Sequence, residues 1–274
     1  MSARLRSLAL HAVLVVVGVI AVGPLYWLFT SSLKTNSDIY TFPLVWWPST
    51  LHWENFAEAW HAAPFGRFYV NSIVVTVVGT GLKVANAVLT AYAFVFVRFP
   101  FKRVLFLVVL GAMMVPGHVT LLPNYLTVSQ LGWINTYQGI IVPGAASAFG
   151  TFLLRQHMLT LPGEVFDAAR MDGAGHLRIL RSVVLPLSRP MLVTVTIVTL
   201  VAEWNDYIWP RIVTNTDTMR TLPVGLLMLK AQEGYVNWGA VMAATAFVVL
   251  PVLVVFFLAQ RYVVAGLTQG AIKG

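Results

Sequence analysis

The chain has 274 residues, of which 58% are hydrophobic and only 10% are charged, and its mean hydropathy is +0.78. Soluble domains carry about 25% charged residues, and disordered chains are poor in aliphatic side chains, so both classes are excluded. The absence of cysteine removes disulfide frameworks, thiolate metal sites and cysteine nucleophiles. The composition therefore indicates an integral membrane protein.

Six apolar segments are suited to cross a bilayer, whose hydrocarbon core needs about 20 residues of helix. The first resembles a secretory signal, but its apolar run is longer than a signal core, so we expect it to be retained. The sequence predicts an all-α fold with six transmembrane helices in a single transmembrane domain over residues 1–274. The predicted spans are residues 8–29, 68–97, 104–122, 139–154, 191–209 and 238–258.

The basic residues predict the orientation of these spans. Twelve of the 18 Lys and Arg residues fall in the segments on one side, five fall on the other, and Lys83 lies within a span. Basic residues accumulate on the cytoplasmic side, so both termini are predicted to be cytoplasmic. This distribution accounts for the net charge of +8 without a nucleic-acid partner. In the first outer loop, Trp53, Phe56, Ala57 and Trp60 form an apolar helical stripe, which favours interfacial anchoring.

The inner loop at 160–189 has the pattern of a helical hairpin. Glu164 and Asp167 lie where acidic residues favour a helix N-terminus, and Gly173 lies where a left-handed residue would end that helix. A second helix then runs towards Leu185-Pro186. The small residues Ala168 and Ala169 would let another protein approach the backbone. The residues alone leave open whether this hairpin lies on the membrane surface or binds a partner.

The same residues resemble a known motif. The groups Asp167-Ala168-Ala169, Asp172-Gly173 and Leu185-Pro186 resemble the cytoplasmic EAA loop of ABC-importer permeases, although that family usually has Glu at the position of Asp167. Four further stretches are similar to the second permease subunit of carbohydrate-type importers, the maltose permease group. They are PLYWLFTSSLK at 24–34, EWNDYIWP at 203–210, LPVG at 222–225 and QRYVVAGLTQGAIKG at 260–274.

The resemblance implies a type I ABC importer permease fold in a bacterial inner or plasma membrane, with a coupling helix between spans four and five. The implied partners are a second permease subunit in a heterodimer, a cytoplasmic ATPase dimer, an extracytoplasmic solute-binding protein and the lipid bilayer. The chain lacks a phosphate-binding loop, so ATP and Mg would bind the ATPase, leaving a transport subunit without a cofactor or enzymatic activity. The implied coupling residues are Glu164, Asp167, Ala168, Ala169, Met171, Asp172, Gly173, Leu185 and Pro186, with a C-terminal ATPase contact at Gln269, Gly270 and Lys273.

Charged and polar residues inside the predicted spans are candidates for the translocation path, because such residues usually face the bundle interior or water. Lys83 could attract an anionic substrate, or it could pair with a carboxylate or extend to the interface. Asn205 and Asp206 could line the path or cap a span, and His118 could be structural or a ligand. No metal-like cluster and no nucleophile with its base is visible in the sequence. The candidates are Lys83, His118, Glu203, Asn205 and Asp206.

The substrate is indicated only by resemblance. The stretches at 94–106, 151–162 and 233–245 are similar to glycerol-3-phosphate and glycerophosphodiester importers. A neutral sugar or oligosaccharide is the alternative substrate. A different class, a self-sufficient ion-coupled transporter using Lys83, Glu203 and Asp206, also remains open at this stage.

Overall fold

The computed structural model describes residues 3–230 and 236–268, and it describes side-chain environments for residues 6–227 and 236–260. Gln269, Gly270 and Lys273, the expected C-terminal ATPase contact, lie outside the described residues. The described chain is helical and contains no β-strand. Its helices are α1 (Ala3–Ser31), α2 (Asn36–Tyr40), α3 (Glu54–His61), α4 (Phe65–Phe96), α5 (Lys102–Met114), α6 (Leu121–Gln130), α7 (Tyr137–Ile141), α8 (Ala148–Met158), α9 (Gly163–Met171), α10 (His176–Ile179), α11 (Leu185–Leu187), α12 (Arg189–Asn205), α13 (Ile208–Val213), α14 (Leu222–Lys230) and α15 (Trp238–Thr268).

The described helices give up to six membrane spans if each bent pair counts as one span, which agrees with the predicted number of six. Three spans are single helices, Arg6–Ser31, Phe65–Phe96 and Trp238–Gln260. The other three are bent pairs: Lys102–Met114 with Gly117–Gln130 at 93°, Tyr137–Gly144 with Ala148–Met158 at 45°, and His176–Leu187 with Arg189–Asn205 at 81°.

Proline accounts for the bent pairs, because it removes a backbone donor and clashes with the preceding turn. Pro116 separates α5 from a 3₁₀ turn at Gly117–Thr120, and Pro143 lies in a 3₁₀ turn at Val142–Gly144. Pro190 lies in the first turn of α12, directly after the third bend. The backbone is therefore irregular at Pro116-Gly117 and at Pro143.

The chain forms two compact units, one comprising Met1–Gly66 and Gly225–Pro251 and the other comprising Arg67–Val224 and Val252–Gly274. In the first unit, the Lys34 side chain is fully buried at the end of α1. Its Nζ donates to the Val45 carbonyl at 2.6 Å and lies 4.0 Å from the centre of the Trp27 ring. Burial lowers the pKa of Lys34, because desolvation disfavours the charged form and no carboxylate among the described residues is in contact with the ammonium group.

The aromatic stripe on α3 is also packed in the first unit. The rings of Phe56 and Trp60 lie 5.8 and 5.5 Å from the ring of Phe247 in α15. The predicted helix is therefore present, but two of its aromatic residues face another helix of the protein. Trp53, at the start of the stripe, remains 63% exposed and is free to anchor at the interface.

The core of the second unit surrounds α4. Ala87 and Ala91 are fully buried on α4, and Leu154 of α8 and Val195 of α12 belong to the same hydrophobic cluster. Gly150 brings α8 close to α4, since a Cβ atom there would lie 3.2 Å from the Ala87 methyl group. These small residues allow three span segments to pack closely, and the cluster continues into the loop after α8.

Candidate functional site

The loop between the fourth and fifth spans is the predicted helical hairpin. Helix α9 ends in a left-handed Gly173 with φ +73°. The Ala174 amide donates to the Ala169 carbonyl and the Gly173 amide donates to the Arg170 carbonyl, both at 3.0 Å. These two bonds are those of a Schellman motif, which fixes the direction of the chain after the helix. Helix α10, a π-helical turn at Leu180–Val184 and α11 then lead to α12.

Aromatic contacts attach this hairpin to the end of α4. The Phe166 ring is buried and lies 4.5 Å from the Phe96 ring. The Tyr92 hydroxyl lies 2.9 Å from His176 Nδ1 and also donates to the His176 carbonyl. Both helices of the hairpin are therefore attached to the membrane-spanning helix α4.

The opposite side of the hairpin is exposed. Met171 is 83% exposed and Val165 is 41% exposed, which is unusual for apolar side chains in a loop packed so well on its inner side. The predicted coupling residues divide accordingly: Ala169 and Leu185 are half-buried, and the others are exposed. The exposed set is Glu164, Asp167, Ala168, Met171, Asp172, Gly173 and Pro186. Asp167 forms an exposed ion pair with Arg170 at 3.3 Å.

Within the spans, Lys83 of α4 forms an ion pair with Glu203 of α12. The side chains are 22% and 14% exposed, so most of the pair is shielded from solvent. Two glycines make room for it. A Cβ atom at Gly79 would lie 2.6 Å from Glu203 Oε2, and one at Gly144 would lie 3.4 Å from Lys83 Nζ. Three span segments therefore meet at this pair.

A small polar cavity lies beside the ion pair. Its lining includes the hydroxyl-bearing residues Ser72, Thr76 and Thr221 and the acidic residues Glu203 and Asp206. Asp206 directly follows α12 and lies two residues before the start of α13. The cavity thus brings together two of the predicted path residues and three that the sequence analysis did not single out.

The remaining path candidates lie outside this cavity lining. The Asn205 side chain is exposed and donates to the Val201 carbonyl of its own helix at 2.8 Å. His118 is exposed in the 3₁₀ turn after α5. No group of three or more His, Asp or Glu side chains suited to a metal ion occurs among the described residues.

The residues missed by the sequence analysis have a recognisable spacing. Ser72, Thr76 and Thr80 are buried on α4. They recur every four residues along the part of the helix that precedes Lys83. Residues four apart lie on one face of a helix, so this pattern marks a polar face within an apolar span. Gly79 is not part of this four-residue spacing, and its role follows only from its closeness to Glu203 of α12.

Comparison with known proteins extends these observations over the chain. Residues 83–269 match the family described as "Binding-protein-dependent transport system inner membrane component". The "sn-glycerol-3-phosphate transport system permease protein UgpE" of Yersinia pestis bv. Antiqua is 34% identical over 94% of this chain and 95% of its own length. The protein of the same name from Pectobacterium atrosepticum is 35% identical, over 94% of each chain.

Solved structures show the same fold. A structure titled "Crystal structure of a bacterial ABC transporter involved in the import of the acidic polysaccharide alginate" matches with a TM-score of 0.84, 24% identity, and coverage of 96% of this chain and 98% of the other. A second structure, of the "bacterial alginate ABC transporter in complex with alginate pentasaccharide-bound periplasmic protein", matches with a TM-score of 0.67 and 14% identity over 93% and 94% of the two chains.

The alternative of a self-sufficient ion-coupled transporter is excluded by these findings, since the family match covers most of the chain. The chain is a multi-pass membrane transport subunit of an ABC importer and not an enzyme. Its importer works with a solute-binding protein, as the family description states. The chain belongs to the family of binding-protein-dependent transport system inner membrane components.

Proposed function

We propose that this chain forms half of the translocation pore of an ATP-driven importer for glycerol-3-phosphate or glycerophosphodiesters. The observation that carries the substrate assignment is the 34–35% identity, over nearly the whole chain, to permeases named for sn-glycerol-3-phosphate transport. A neutral sugar or oligosaccharide is the second candidate. It is favoured by the ion pair, because Glu203 already compensates the charge of Lys83 that an anionic substrate would otherwise meet.

The other half of the pore is a second permease subunit, and a cytoplasmic ATPase dimer supplies the energy by binding ATP and Mg. The chain acts as one permease domain over residues 1–274, with both termini in the cytoplasm of a bacterial cell. The α9–α10 hairpin is the coupling element that binds a cleft in the ATPase. Its exposed Met171 and Val165 would be buried there, and its attachment to Phe96 and Tyr92 would move α4 when the ATPase closes.

The specific residues follow from this arrangement. Contact with the ATPase is made by Glu164, Asp167, Ala168, Ala169, Met171, Asp172 and Gly173, with Leu185 and Pro186 supporting the second half of the hairpin. Gln269, Gly270 and Lys273 make a C-terminal contact with the same partner. The cavity beside Lys83 and Glu203 lies along the substrate path, and Asp206 faces it from the end of α12. Asn205 and His118 belong to the same path at positions nearer solvent.

The test is transport by the reconstituted complex. The chain, its sister permease, the ATPase and the binding protein are placed in liposomes, and ATP-dependent uptake of labelled glycerol-3-phosphate, glycerophosphocholine and maltotriose is measured. We expect uptake of one of the two phosphorylated compounds and none of the sugar. Uptake of maltotriose alone would support the second candidate, and uptake by this chain without the ATPase would contradict the importer mechanism.

A further inference from the structure

Two cations that have no carboxylate partner among the described residues, Lys102 and Arg155, lie near the C-terminal end of α4. The coupling hairpin is attached to the same helix. Lys102 begins α5 and Arg155 lies in the last turn of α8. Three aromatic rings connect them: Phe94 lies 5.8 Å from Phe99 and 5.4 Å from Phe106. Lys102 Nζ lies 5.9 Å from the centre of the Phe99 ring, and the Arg155 guanidinium lies 3.9 Å from that of Phe106. The two cations therefore border one aromatic cluster.

The donors of Lys102 are only partly used. Its Nζ donates to the Val95 and Val97 carbonyls at 3.1 and 3.0 Å, at the C-terminal end of α4. An ammonium group has three N–H donors, so one remains for a further acceptor. Among the described residues Lys102 forms no ion pair with a carboxylate.

The guanidinium of Arg155 is less satisfied still. Its Nε is buried and has no hydrogen-bond partner within the described part of the chain. No carboxylate there pairs with its terminal nitrogens. The charge of Arg155 also repels that of Lys102. Two neighbouring cations, both half-buried and without a counter-charge, are unfavourable unless an anion binds between them.

We propose that Lys102 and Arg155 bind the phosphate of an anionic phospholipid headgroup, such as that of phosphatidylglycerol. Arginine and lysine together suit a phosphate, which accepts several charge-assisted hydrogen bonds. Basic pockets between transmembrane helices are known sites for anionic headgroups. A free phosphate has the same chemistry, but the surroundings favour a lipid, because the adjoining face of α5 is apolar and exposed. Its exposed residues are Phe101, Val104, Leu105, Leu107 and Val108.

The test uses the purified complex of this chain with its sister permease and the ATPase. The double variant Lys102→Gln and Arg155→Gln is compared with a control, Arg98→Gln and Arg103→Gln, which removes the same charge from exposed positions in the same region. Bound phosphatidylglycerol is titrated by native mass spectrometry, and thermal unfolding is measured with phosphatidylglycerol, phosphatidylcholine or inorganic phosphate. The lipid-dependent shift is read within each variant, so a lower starting stability does not obscure it.

We expect phosphatidylglycerol to bind and to raise the unfolding temperature of the wild-type and control complexes. In the double variant the apparent affinity should fall at least about tenfold, the equivalent of about 1.4 kcal/mol. The single variant Arg155→Lys should retain most of the binding, which provides the comparison if the double variant fails to assemble. Equal binding by wild type and double variant, equal protection by phosphatidylcholine, or full protection by inorganic phosphate alone would each overturn the proposal.

Discussion

The ion pair between Lys83 and Glu203 gives a quantitative prediction. Breaking a buried ion pair by removing one partner costs about 3–5 kcal/mol, because the remaining charge is left uncompensated. The side chains here are 22% and 14% exposed, so solvent relieves part of this cost. We expect Lys83→Met or Glu203→Met alone to lower the free energy of unfolding by about 3 kcal/mol, at the lower end of that range.

The double variant should behave differently. Replacing both members of a buried pair with apolar residues of similar volume is often neutral or stabilising. We therefore expect the combined Lys83→Met and Glu203→Met variant to lie within about 1 kcal/mol of the wild type, which corresponds to a coupling energy of several kcal/mol. The measurement is detergent-induced unfolding of the purified chain in mixed micelles, followed by tryptophan fluorescence.

An exposed pair on the same chain serves as the control. Asp167 and Arg170 have side chains that are 71% and 55% exposed, and such surface pairs contribute about 0.2–1 kcal/mol. Their double-variant cycle should give a coupling energy below about 1 kcal/mol. If the cycle for Lys83 and Glu203 gave a coupling no larger than this control, the inference that the pair joins α4 to α12 within the membrane would be refuted.

Three further predictions concern single positions. Gly173→Val should reduce ATP-driven uptake at least about tenfold, because a φ of +73° is strained for a branched side chain. Gly173→Asn should retain uptake, since asparagine tolerates the left-handed conformation. Equal uptake by the two variants would contradict this prediction. Gly79→Ala should destabilise the chain, because the added methyl group would displace the Glu203 side chain, whereas Gly81→Ala, which has open space around it, should not. Equal unfolding midpoints for the two variants would contradict the close contact between Gly79 and Glu203. The Lys34 pKa is lowered by burial, so the unfolded chain binds more protons between that pKa and about 10.4, and stability relative to Lys34→Met should rise with pH there. A pH-independent difference would contradict it.

The hairpin could be predicted from sequence because its determinants are local. Acidic residues at 164 and 167, a glycine at 173 and a proline at 186 each act within one or two turns of backbone, and the Schellman bonds around Gly173 follow from them. The bends at Pro116 and Pro143 were predictable in part, because proline removes a backbone donor and favours a break. Proline alone does not decide it, since α1 and α15 continue through Pro24 and Pro251.

The ion pair could be predicted only in part. The cost of a charge in the membrane indicates that Lys83 has a partner, but Glu203 and Asp206 are both candidates from sequence. Glu203 is selected because it lies on the last turn of α12 facing α4, whereas Asp206 lies beyond the end of that helix. That choice depends on how two distant helices pack, which no local pattern contains.

For the aromatic stripe of α3, the helix could be predicted from the sequence but its packing partner could not. Its helical periodicity is correct, but periodicity does not reveal whether an apolar face contacts lipid or protein. Phe56 and Trp60 contact Phe247, which is far away in the sequence, whereas Trp53 is 63% exposed and Trp60 is still 41% exposed. Long-range partners of this kind are accessible only from the folded chain.

The coupling role of the hairpin can be measured most directly with a cysteine in place of Met171, which is 83% exposed. The chain has no native cysteine, so the introduced thiol is the only one on this subunit. We expect the thiol to resist a membrane-impermeant reagent added outside intact cells, to react with it in inside-out vesicles, and to crosslink to the ATPase in the assembled complex. Labelling from outside intact cells would contradict the assignment of this hairpin as the coupling element.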